Sequence, residues 1–173
     1  MFEGNKESIN KFDYFMELAR DQAKLSSKEN TKVGALLIDN NGLVLLSECN
    51  DYIEPVYSDP SILNKVERKL YSEHAERRII YSALKKGISE MSDKTLVVTH
   101  FPCCECARSI ILTGIRKIVV DSIEFDSPFY IKWIKNIKVS YEMLNSNDVL
   151  VLLKNGEKLN FNNILNRLCY TKI

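Results

Sequence analysis

Short apolar runs alternating with amphipathic segments predict an α/β fold built on a mixed sheet, and three observations carry that prediction. VGALLID and LVLLSEC flank Asn40-Asn41-Gly42, and two apolar runs joined by Asn-Gly are a strong antiparallel hairpin signal. TLVVTH, CARSIILTG and KIVVD follow one another with short links, so strand, helix and strand make a right-handed crossover and a parallel pair. In SPFYIKWIKNIKVSYEML, Tyr130, Trp133, Ile134, Ile137, Tyr141 and Leu144 fall on one helical face, the pattern of a helix packed on a core.

The remaining elements follow in order. Within residues 8–25, Phe12, Phe15, Met16 and the apolar positions from Leu18 to Leu25 recur at helical spacing until polar SSKEN ends the pattern. Residues 33–39 and 43–49 are the hairpin strands. From Asn50 to about Asn64 the chain has two prolines and two tyrosines without periodicity, which reads as a loop long enough to be functional. Helical character resumes before His74 and runs to Lys86, with Gly87 as a stop. Strands are expected at 95–100, 117–121 and 149–154, helices at 106–114 and 161–168.

At 173 residues the chain is read as one domain spanning 1–173. Its apolar fraction of 45% and charged fraction of 27% are ordinary globular values. A net charge of +1 without a dense Lys/Arg run lacks the electrostatic footprint of a duplex-binding protein, so a small ligand is expected rather than nucleic acid. No apolar run reaches membrane-spanning length, and MFEGNKESINKFDYF lacks the apolar stretch of a signal peptide, which predicts a cytoplasmic protein. Five cysteines, three of them crowded at Cys103, Cys104 and Cys106, make a poor disulfide framework and point to metal or redox chemistry.

One of only two histidines, His74, stands two residues before Glu76 at the mouth of a helix. Cys103 and Cys106, three apart, share a face of a first helical turn if Pro102 opens that helix. Unsatisfied amides and the positive end of the dipole favour thiolate there. Zinc takes sulfur and imidazole ligands, and three protein ligands leave a fourth position for water. His74, Cys103 and Cys106 are therefore the expected ligands of one Zn2+. Glu76 can then take a proton from that water and return it to a leaving group, the division of labour that hydrolytic deamination needs. A closed structural zinc would need a fourth ligand, but Cys104 projects about 100° away from Cys103. A thioredoxin-like redox pair leaves His74 and Glu76 without a role.

His-x-Glu followed 29 positions after the histidine by Pro-Cys-x-x-Cys is the signature of zinc nucleobase deaminases. With TKVGALLID and its hairpin, Asn50, EHAER, IYSALKKG and PCCECARSIILTGIRKIVV, the chain resembles the cytidine and deoxycytidylate deaminase superfamily, most of all bacterial deoxycytidylate-deaminase-like proteins, from about Thr31 to Asp121 and more loosely to Leu153. The resemblance implies a three-layer α/β/α sandwich around a five-stranded mixed sheet. It also implies that Asn50 binds a sugar hydroxyl, that Val33 lines the base, that the Ala75 and Cys104 backbones help hold the pyrimidine, and that subunits assemble into a homo-oligomer. The expected reaction is dCMP to dUMP with release of ammonia. The alternatives are a cytidine or deoxycytidine deaminase, a nucleic-acid base deaminase, and a catalytically silent nucleotide-binding protein.

The chain departs from the family pattern in two places. Asp51 and Glu54 replace small residues after Asn50, where their charge would oppose a phosphate, and Arg78 and Ile79 stand where relatives have Asn and Ala. Arg68, Lys69, Arg78 and Lys85 are the cations available for a 5′-phosphate, though a residue of each kind is more often a solvated surface charge. His100 reads as structural, and Tyr71 as either core or a cover over the nucleotide.

Overall fold

A computed structural model describes residues 11–28, 31–53, 70–121 and 127–160. At its centre five strands lie in the order β2-β1-β5-β6-β7, namely Val44–Cys49, Gly34–Ile38, Thr95–Val98, Lys117–Val120 and Leu150–Leu153. β1 runs antiparallel to both β2 and β5, while β5, β6 and β7 are mutually parallel. The turn chemistry explains the first relation. Gly42 adopts φ +86°, a conformation glycine reaches without steric cost, and the Asp39 carboxylate accepts the N–H groups of Asn41 and Leu43 at 2.9 and 2.8 Å. Crossover helices explain the second. The helix Cys104–Leu112 (α3) links β5 to β6, and Pro128–Ser146 (α4) links β6 to β7.

Every residue of β1 and β5 is buried because both sheet faces are covered. On one face Leu36, Ile38, Val97 and Val119 meet Phe15, Met16 and Ala19 of the first helix, Lys11–Lys24 (α1). On the other, Ala35, Leu37, Leu96 and Val98 join a larger core with Ile79 and Ala83 of the helix Ala75–Lys85 (α2), Ile110 of α3, and Ile137 and Leu144 of α4. This is the three-layer α/β/α arrangement around a five-stranded mixed sheet that the resemblance implies.

Three expectations are corrected. The helical segment expected to run through His74 is interrupted: Leu70 is helical, but Ser72–Glu73 form a short strand (β4) paired antiparallel with Asp51–Tyr52 (β3), so the start of the expected loop is tied to the entrance of α2. The helix expected at 106–114 begins at Cys104, because Cys103 itself holds the extended N-cap conformation. Trp133 is 42% exposed, whereas Tyr130, Ile137 and Leu144 are buried. At about 100° per residue Trp133 lies roughly 60° from the centre of that stripe, at its edge. The helix expected at 161–168 lies outside the described residues. Among the described residues no helix is long and apolar enough to cross a membrane.

Candidate metal and proton-transfer site

Two helix entrances meet at the carboxyl end of β5. His74 is the N-cap of α2 (φ −78°, ψ 149°) and Cys103 the N-cap of α3 (φ −73°, ψ 170°), and neither side chain makes a capping hydrogen bond. N-caps are ordinarily Ser, Thr, Asn or Asp, whose oxygen turns back onto the helix amides. Imidazole and thiol at these positions instead point away from their own helices and toward each other. Cys106, completely buried in the first turn of α3, completes the group.

The His74 Nδ1 lies 3.5 Å from Cys103 Sγ and 3.4 Å from Cys106 Sγ, and all three donor atoms fall within 4.8 Å of one another. Tetrahedral zinc with bonds of about 2.3 Å to sulfur and about 2.0–2.1 Å to nitrogen would separate the N and S atoms by about 3.6 Å. The spacing and the donor set therefore fit zinc, and both helix dipoles direct their positive ends at the thiolates.

The electrostatics divide the pair of sulfurs. The Cys103 thiol is drawn down to about 4, chiefly because Cys106 donates a hydrogen bond to it, with His74 assisting against the opposing effect of burial. Cys106 is pushed up by that same hydrogen bond and by burial. The hydrogen bond to Cys103 raises His74. Burial dominates at Glu76, which is 4% exposed and whose carboxyl is pushed above the usual carboxylate range, with the charge of His74 opposing. A buried carboxyl lifted in this way exchanges protons near neutral pH more readily than an exposed one.

Other expected site residues are distributed unequally. Asn50 is 5% exposed and held at both ends of its amide: Oδ1 accepts the Val33 N–H at 2.8 Å and Nδ2 donates to the Thr31 carbonyl at 2.8 Å. It thus joins the end of β2 to the segment containing Val33. Ala75 is fully buried and opens α2, so its N–H is among the first-turn amides that the helix itself cannot use. The Cys104 backbone, expected at the base, is differently engaged. Its N–H donates to Asn136 Oδ1 at 2.9 Å and its thiol to the Asn136 carbonyl at 3.0 Å, tying α3 to α4. Arg78 is ion-paired with Glu48 of β2 at 3.3 Å. Lys85 is exposed in the last turn of α2, nine residues beyond Glu76 and hence about 14 Å along the axis. Arg68 and Lys69 lie outside the described residues.

Sequence reading missed Asn136 and Lys28. Lys28 Nζ donates to Ser72 Oγ at 2.8 Å, two residues ahead of His74, and lies 5.7 Å from the centre of the Tyr52 ring. No local pattern marks either residue, because each acquires its partner only when distant segments meet.

A buried carboxyl beside two cysteine sulfurs and an imidazole, assembled at paired helix entrances of an α/β/α sandwich, offers the donor set that a zinc hydrolase site needs. Residues 9–122 match the family described as "Cytidine and deoxycytidylate deaminase zinc-binding region", and the chain belongs to that family of hydrolytic deaminases. It is 31% identical over 137 residues to the Drosophila melanogaster protein named "Probable deoxycytidylate deaminase", an alignment covering 72% of this chain and 66% of that one, just under two thirds of the relative's length. It is 30% identical over 137 residues to an uncharacterized deaminase of Aliivibrio fischeri, covering 79% of this chain and 88% of the relative. The dCMP deaminase of cyanophage S-TIM5, solved with dCMP and dUMP, shares the fold with a TM-score of 0.65 at 20% identity, over 82% of this chain and 94% of that one.

Proposed function

We propose that this chain deaminates a cytosine nucleotide, converting dCMP to dUMP and releasing ammonia. One observation carries the reading: Glu76, buried and raised, stands two residues from one ligand of a three-ligand zinc site, where a proton must be moved and returned. Zinc at such a site supplies the Lewis acidity that makes water a nucleophile near neutral pH. Glu76 accepts the proton lost from water as oxygen adds to the ring carbon bearing the amino group. It passes that proton to the adjacent ring nitrogen and then carries the remaining proton of the added hydroxyl to the amino group, so the C–N bond breaks as ammonia leaves and the product keeps the oxygen as a carbonyl. The N–H of Ala75 and the side chain of Val33 meet the pyrimidine, and Asn50, locked by Thr31 and Val33, presents the rest of its amide to the sugar.

The names of the relatives favour the monophosphate, and so does a cation at the mouth. Arg78 is committed to Glu48 and Lys85 sits far along α2, so Lys28, beside Ser72 and Tyr52, takes the place of those two as the phosphate partner. One observation favours the unphosphorylated nucleoside instead: the Asp51 carboxylate, bonded to Ser27 Oγ and the Tyr52 N–H, adds negative charge to the same corner.

Ammonia release from dCMP, CMP, deoxycytidine, cytidine, cytosine and blasticidin-like analogues tests the reading. dCMP should give the highest kcat/KM, and Lys28→Met should raise KM for dCMP far more than for deoxycytidine. A wild-type preference for the nucleoside, with no change of ratio in variants of Lys28, Arg68, Lys69, Arg78 or Lys85, would make the enzyme a nucleoside deaminase. It would also make the acidic corner a device for rejecting phosphate.

A further inference from the structure

The two ligand-bearing helix entrances are joined by a feature outside the zinc and proton-transfer set. The Arg77 guanidinium reaches backward to Glu73 and across to Glu105. Nε donates to Glu73 Oε1 at 2.6 Å, with Nη2 on the same oxygen, and Nη1 donates to Glu105 Oε2 at 2.7 Å. Glu73 Oε1 also accepts the backbone N–H of His74 at 2.8 Å. Each carboxylate is therefore the sequence neighbour of a metal ligand: Glu73 precedes His74, and Glu105 precedes Cys106. The inner half of the bridge is shielded, with Arg77 at 18% and Glu73 at 16% side-chain exposure, while Glu105 is 61% exposed.

We propose that Arg77 is a positioning residue of the zinc centre, a strap from β4 through α2 to α3 that sets the separation of His74 from Cys103 and Cys106. The proposal rests on the reading that these three side chains hold zinc. Its physical basis is that the apolar contacts between α2 and α3, such as those of Ile79 and Ile110, resist separation but tolerate sliding along the helix axes. A planar five-donor fork held by two carboxylates resists sliding, because both hydrogen-bonded ends lose length and angle together. The site has little tolerance for such a slide. The observed N–S separations of 3.4 and 3.5 Å lie just under the tetrahedral value, and the ligands sit at the cap and first turn of each helix, where a shift of the helix moves them directly.

Zinc affinity is measured on the zinc-loaded full chain by competition with a chromophoric chelator, and ligand geometry by the visible spectrum of the cobalt(II)-substituted protein. Arg77→Met should weaken zinc binding by about 10–100-fold, the usual effect of losing a group that orients metal ligands, and should alter the cobalt bands. Arg77→Lys keeps the charge but not the fork and should remain impaired. Glu105→Gln should weaken zinc as well and add little in an Arg77→Met background, since both substitutions cut one strap. Arg108→Met removes an equal charge from α3 outside the strap and should leave zinc affinity as in wild type. Wild-type affinity and cobalt spectrum in Arg77→Met, full recovery by Arg77→Lys, or independent multiplication of the Arg77 and Glu105 losses would each overturn the proposal. If Arg77→Met does not fold, Glu105→Gln, altered at an exposed carboxylate, decides alone: unchanged zinc affinity there overturns it. Both readouts are taken without substrate, so a failure of the dCMP reading leaves this result standing, and a failure of the strap leaves the ammonia assay unaffected.

Discussion

Gly34, at the start of β1, has no room for a methyl group. A Cβ built there would lie 1.9 Å from the Ala19 carbonyl oxygen and 2.7 Å from the Ala23 nitrogen, both backbone atoms of α1. Ordinary van der Waals contact begins at 3.4 Å, so Gly34→Ala requires α1 to retreat from the sheet by about 1.5 Å. No side-chain rotation can relieve the clash, because the obstacle is main chain. The retreat opens the layer in which Phe15, Met16 and Ala19 meet Leu36, Ile38, Val97 and Val119, and a gap of 0.5–1 Å already forfeits about a quarter to a half of each dispersion well. Overpacking of this kind costs about 1–3 kcal/mol, and an immovable backbone obstacle places Gly34→Ala at the upper end. For a chain of this size each kcal/mol moves the midpoint by about 2–4 °C, giving a Tm lower by about 6–12 °C. α2 and α3 lie on the opposite face, so the folded variant should keep its zinc. The displaced element adjoins Val33 and, through it, Asn50, so KM should rise more than kcat falls. Thermal unfolding followed by circular dichroism, with zinc analysis of the same sample, measures both effects. A Tm within about 1 °C of wild type would refute the reasoning about this interface.

Glu76→Gln should retain one zinc per chain and lose at least about a hundredfold in turnover, and near-normal rates would remove Glu76 from the chemistry. Cys103→Ala should lose metal and thermal stability together, as expected when site formation is coupled to folding; metal analysis showing a full complement of zinc would contradict the ligand assignment. Asp39, accepting the Leu43 and Asn41 N–H groups, is held below the usual carboxylate range. Its contribution to stability is therefore present above the unfolded value of about 3.9 and lost as pH falls through the folded value. Asp39→Asn should flatten the acid side of the Tm-versus-pH profile, whereas an offset from wild type that is the same at every pH would discount the charge. The exposed Tyr81 and Leu84 of α2 and Leu112 of α3 are consistent with assembly into at least two subunits, and a monomer by light scattering at micromolar concentration would end that expectation.

The sequence by itself determined the elements whose signals are local. An Asn-Gly turn between apolar runs specifies a hairpin, a strand–helix–strand series with short links specifies parallel pairing, and His-x-Glu with Pro-Cys-x-x-Cys places imidazole, carboxyl and thiolates at helix entrances. Each depends on spacings of a few residues, set by covalent geometry and helical or strand periodicity. Tertiary structure decided which charges meet. Arg78 could have faced solvent or phosphate but pairs with Glu48, 30 positions away, and Arg77 reaches Glu105 across 28. The β3–β4 pairing, the capture of the Cys104 amide by Asn136, and the exposure of Trp133 at the edge of its stripe are of the same kind. Periodicity says which face of an element is buried, but a long polar side chain sweeps a wide arc, and its partner is set only when the sheet has fixed how the helices lie against one another.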